Sequence, residues 1–209
     1  MSNGYFTVVN ECENVIIIER SKFICAIKGV ADEKEAKEFV EIVRKKHSLA
    51  NHNCYAYIAD DRGLVQKFSD DGEPQGTAGL PMLEVLKAKK IYKTVAVVTR
   101  YFGGVKLGTG GLTRAYSSSV SECLNIAKIA DMQQASVFET KIDYEGYSRL
   151  LKLISTDGIV TLETSFDNSV IVKFAVKMMM VDGFVKKLID AFNGKINLNE
   201  IGRGYYNFK

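Results

Sequence analysis

Tryptophan is absent from the 209 residues, and proline occurs only twice, at Pro74 and Pro81. Histidine is as scarce, at His47 and His52. Two imidazoles five residues apart across a predicted helix end are not a zinc-ligand spacing, and they leave a conventional hydrolase without its partner set. The four cysteines (Cys12, Cys25, Cys54, Cys123) form no CxxC pair. Each stands among apolar neighbours, so they read as small buried hydrophobes rather than metal or redox groups. An excess of one charge is also lacking. Residues 1–134 carry 18 Lys/Arg against 16 Asp/Glu, and residues 135–209 carry 10 against 9. Neither half is a basic domain, so any nucleic-acid contact has to come from a local patch. No apolar run approaches the roughly 18–20 residues needed to cross a bilayer, and no signal-peptide pattern precedes Tyr5. A reduced, cytoplasmic protein without membrane partners is expected.

What is present is mixed secondary structure. Residues 5–9, 15–19 and 22–28 read as strands. Asp32 followed by Glu35 marks a helix start, with Ala36, Phe39, Val40 and Val43 as its apolar stripe. Residues 52–59 alternate, with Cys54, Ala56 and Ile58 on one side and Asn53, Tyr55 and Tyr57 on the other. A turn at 60–63 returns the chain over 64–68 as a hairpin partner. A polar loop (69–79) leads to a short helix from Pro81 to about 88. Residues 92–99 form a buried strand, and a helix runs from about Leu112 to 127. The second half orders as strand (135–143), helix (144–156), strands (158–166 and 169–178), helix (181–192) and strand (195–205). That βαββαβ order is the ferredoxin-like pattern. The fold class is therefore α+β, with a domain of residues 1–131 followed by one of 132–209.

The chemistry concentrates in two loops. Five glycines fall between Gly103 and Gly111, flanked by Arg100, Lys106 and Arg114. The loop from Ser69 to Pro81 has the same design, a small-residue segment delivered to a helix N-terminus. Two readings of the spacing stand: glycines for tight turns and close packing, or open N–H donors and a helix dipole that hold an anion. Under the second reading the candidate binding residues are Thr77, Arg100, Tyr101, Gly103, Gly104, Lys106, Gly108, Thr109, Gly110 and Arg114. Phe102 is expected to anchor its loop in the core, with Tyr101 partly outside. There is no GxxxxGK[ST] and no GxSxG, so a nucleotide-hydrolysing P-loop and a serine nucleophile elbow are excluded. Asp70, Asp71 and Glu73 read as a solvated acidic turn, or as three carboxylates able to take Mg²⁺. No nucleophile or general base is supplied, so no catalytic residue and no cofactor are assigned.

These motifs carry a resemblance. Ser21-Lys22-Phe23, the run from Asp70 to Gly79, Gly79-Leu80-Pro81-Met82-Leu83, and the stretch from Val97 to Gly108 resemble the family of YigZ and IMPACT. The resemblance implies a first domain like domain 2 of ribosomal protein S5 and a second similar to the last domain of elongation factor G. It implies a leaning toward translation, with RNA, the ribosome or a translation factor as partner. Residues 1–14 are too few for the extra N-terminal domain of IMPACT proper, so the starvation-kinase role of the eukaryotic relatives is not carried over. The expected function is non-enzymatic binding through the glycine loops. The alternative is an enzyme or sensor for a small phosphorylated ligand or nucleotide, using the same recess with Mg²⁺.

Overall fold

The computed structural model describes residues 4–208, which divide into two compact units, Tyr5–Ala130 and a second that takes Gly4 and the chain from Asp131 onward. The chain is α+β. In the first unit, β1 (Gly4–Val8), β2 (Cys12–Ile18) and β3 (Ser21–Gly29) precede α1 (Glu33–Lys46). Then come β4 (His52–Ile58), β5 (Gln66–Ser69), α2 (Gly79–Ala88), β6 (Thr94–Tyr101) and α3 (Gly108–Ile126). The sheet runs β2-β3-β6-β4-β5 with every neighbouring pair antiparallel. β6 is central and almost wholly buried, which is why residues 95–98 read as an unbroken apolar run rather than an alternation.

Period two sorts the side chains onto two faces. Ala26, Tyr57, Val95 and Val97 pack against Ala36, Phe39, Val40 and Val43 of α1. Cys25, Ile27, Ala56, Ile58, Ala96 and Val98 pack against Met82 and Leu86 of α2 and Ala115, Val120 and Cys123 of α3. α1 starts as the sequence predicts. Asp32 accepts from Glu35 N at 2.9 Å, while Glu35 reaches back to the amide of Ala31 at 2.8 Å rather than to that of Asp32.

The second unit continues from β7 (Ile129–Ile142) through α4 (Tyr144–Ile154), β8 (Ile159–Phe166), β9 (Val170–Lys177), α5 (Val181–Ala191) and β10 (Leu198–Asn207). β10 pairs with β7, β7 with β9 and β9 with β8, all antiparallel. Phe138, Val172, Phe174 and Val176 meet Leu150 and Ile154 of α4 and Phe184 and Leu188 of α5, so both helices cover one face. Met178–Met180 forms a single 3₁₀ turn leading into α5, and the strand predicted over 169–178 ends one residue earlier, at Lys177. β7 begins six residues before the predicted Ala135, and within that extension Met132, Gln133 and Gln134 pair with Asn207, Tyr206 and Tyr205. No helix among the described residues is long and apolar enough to cross a membrane.

Candidate functional site

On the α2/α3 face of the first sheet, the ends of β4 and β6 and the start of α3 enclose a cleft of about 480 Å³. Its lining includes His52, Glu73, Arg100, Phe102, Lys106 and Thr109. The floor is a buried ion pair. Arg100 Nη1 donates to Glu73 Oε1 at 2.7 Å, with the two side chains 6% and 3% exposed. The Arg100 guanidinium carbon lies 5.4 Å from the centroid of Phe23 and 5.5 Å from that of Phe102, so the cation is clamped between two rings. Its Nη2 reaches Ser21 Oγ at 3.4 Å, and its buried Nε has no hydrogen-bond partner among the described residues. Tyr116 O–H donates to the same Glu73 oxygen at 2.8 Å. Burial pushes the Tyr116 hydroxyl and the Cys54 thiol far above their ordinary ranges, so both stay protonated and neither is a nucleophile.

One wall of the cleft is the N-terminus of α3. The first turn is built from Gly108, Thr109, Gly110 and Gly111, four residues ahead of the predicted start, and the residue before it, Leu107, makes no side-chain cap. Gly108 at φ +67° lets the chain swing into the helix from a conformation L-residues rarely adopt. The outcome is a 19-residue helix whose leading N–H groups lack a side-chain acceptor from the capping residue. Lys106 and Thr109 stand exposed beside it.

The other helix start is already satisfied from within the chain. Asp70 accepts from Gly76 N at 2.8 Å, Ala78 N at 3.0 Å and Gly79 N at 2.8 Å, so its carboxylate fills the anion position at the head of α2. Thr77 is buried, donates to Pro74 O at 2.6 Å and does not line the cleft. Asp71 is equally occupied, by Arg44 at 3.2 Å and Asn53 N at 2.6 Å. With Glu73 held through Oε1 by Arg100 and Tyr116, the three carboxylates are engaged separately, and no metal-holding group occurs among the described residues.

Of the other predicted residues, Gly103 packs so closely that a Cβ would collide with the backbone of Arg20 and Ser21. Gly104 and Gly110 stand in open space, and Arg114 is exposed on α3 away from the cleft. Tyr101 lies on the α1 face, opposite Arg100, because successive strand residues point to opposite sides. Its hydroxyl meets His47 Nδ1 at 3.0 Å. Phe102, expected in the core, is 46% exposed and forms the lip of the cleft over Arg100. Asn51 and His52 join the lining without any sequence signal beyond their position at the start of β4.

Burial, and next the charge of Lys46, hold the His47 imidazole below its usual range. The fold therefore favours neutral His47, while the unfolded chain protonates near pH 6.5. That contribution is complete above the unfolded pKa and is lost as pH falls through the folded one. Denaturation midpoints are expected to drop between pH 7 and pH 5, and His47→Gln is expected to flatten the slope. An unchanged slope in the variant counts against His47 as the source.

Residues 19–124 match the Impact N-terminal domain. The IMPACT family member YvyE of Bacillus subtilis (strain 168) is 40% identical over 200 residues, covering 96% of this chain and 92% of the relative. The family member YigZ of Escherichia coli (strain K12) is 34% identical over 194 residues, covering 92% of each. A solved crystal structure of a hypothetical protein superimposes with a TM-score of 0.61 at 31% identity, covering 97% of this chain and 99% of that one. With more than half of its length inside that domain and relatives aligned nearly end to end, the chain belongs to the IMPACT family.

Proposed function

We propose that this chain is a non-enzymatic, cytoplasmic RNA-binding protein of the translation apparatus, and that the cleft at the head of α3 is its contact site. The observation that carries the reading is the uncapped, glycine-built start of α3, with Lys106 beside it and Phe102 exposed at the lip. Amide donors, a helix dipole and one mobile cation suit a phosphate, and an exposed ring suits a base. Arg100 supports the site as a pillar rather than as a contact, since Glu73 already neutralises it. Domain-level likeness points the same way. Unit 5–130 reads as S5 domain 2-like. The second unit, with its strands in spatial order four-one-three-two and helices on one face, reads as ferredoxin-like and similar to the last domain of elongation factor G. Such fold likeness is analogy and the site is the argument.

Single-stranded RNA and ribosomes are the probes. Binding is expected to weaken with salt at a slope of log K against log salt of about −1, which Lys106→Ala is expected to remove. Thr109→Asp, which sets a carboxylate at the open amides, is expected to abolish it. Absence of association at low ionic strength, or indifference to both substitutions, refutes the reading.

A further inference from the structure

The donor-rich end of the cleft accounts for an anion, yet its floor presents the opposite chemistry. Glu73 is nine-tenths buried, and both of its close hydrogen bonds, from Arg100 and Tyr116, fall on Oε1. Oε2 has no hydrogen-bond partner among the described residues. His52 repeats the pattern. Its Nδ1 lies 2.9 Å from the carbonyl oxygen of Asp71, which can only accept, so Nδ1 carries the hydrogen. In the tautomer with its hydrogen on Nδ1 alone, Nε2 is an acceptor, and it lies 3.9 Å from Glu73 Oε1. Two acceptors, Glu73 Oε2 and His52 Nε2, thus belong to neighbouring side chains at the bottom of a site whose mouth attracts a negative group.

Two neighbouring acceptors ask for two neighbouring O–H donors. A vicinal cis-diol supplies them, and a carboxylate that accepts from ribose hydroxyls is an established recognition device. A volume of about 480 Å³ has room for one nucleotide rather than for a strand passing through. An internal RNA nucleotide offers only its 2′-hydroxyl, whereas the 3′-terminal one offers the 2′,3′-diol. From this pairing of donors and acceptors we infer that the cleft holds the 3′-terminal nucleotide of an RNA. Its phosphate lies at the head of α3, its base against Phe102, and its cis-diol donates to Glu73 Oε2 and His52 Nε2. The inference rests on the RNA reading above and narrows it to a chain end.

The test leaves the protein intact and changes the ligand. A fluorescent single-stranded oligoribonucleotide is compared with the same oligomer ending in 2′-deoxyribose and with one ending in a 3′-phosphate. The free diol is expected to bind about tenfold more tightly than either, since each lost hydroxyl strands a buried acceptor and the phosphate faces a carboxylate. His52→Phe is expected to narrow that preference. Equal affinities for the three ends overturn the inference and leave RNA binding standing. No binding of any of them at low salt overturns both.

Discussion

Glu73→Ala is expected to lower the unfolding free energy of the first unit by about 3–5 kcal/mol, the range for removing one partner of a buried ion pair. The loss arises from what remains behind. Arg100, 5% exposed, keeps its charge between Phe23 and Phe102 with no counter-ion, and Tyr116 loses its acceptor. Glu73→Gln retains one acceptor oxygen and is expected to fall between the variant and the parent. Replacing both charges together, Glu73→Leu with Arg100→Met, is expected to recover most of the stability, because no unpaired charge is left in the core. Urea denaturation of the four proteins ranks these losses. Near-identical midpoints for Glu73→Ala and the parent would mean that the pair does not hold the loop to β6.

Asp70→Ala is expected to cost about 2–4 kcal/mol, since three amides entering α2 lose a charged acceptor at once. Asp70→Asn, which accepts through one oxygen only, is expected to lose about half as much. The variant also makes a positive prediction. The vacated position is an anion site, so sulfate at tens of millimolar is expected to raise the midpoint of Asp70→Ala by more than that of the parent. An equal response in both proteins argues that the carboxylate is not what fills the head of α2.

The two loops look alike in sequence and differ in what completes them. Both bring small residues to a helix start, but only the first carries its own anion, one residue after β5. Nothing in the spacing distinguishes Asp70 from Asp71 or Glu73, because each finds its partner through the fold: the amides of α2, Arg44, and an arginine on β6 that is 27 positions away. Local signals were legible where the physics is local. The capping of α1 by Asp32 and the two-sided alternation of β4 follow from adjacent residues. The placement of Tyr101 and Phe102 did not, since the apolar run 95–98 of the central strand has no period from which to read a face. Glycine's poor helix propensity concealed the first turn of α3.

The arrangement of α1 and α2 on opposite faces has a geometric corollary. β3 and β4 are parallel with β6 between them, and α1 joins them. β5 and β6 are parallel with β4 between them, and α2 joins them. Turning the sheet half a revolution about its normal lays one connection on the other in strand direction and displacement, with the helices on opposite sides. The two crossovers are therefore mirror images in sense, and one of them has the hand found in only about 2% of such connections. Strand twist alone does not select that hand, so specific contacts must impose it. The carboxylate of Asp70, which ties the end of β5 to the start of α2, sits at the entry to one of these two connections.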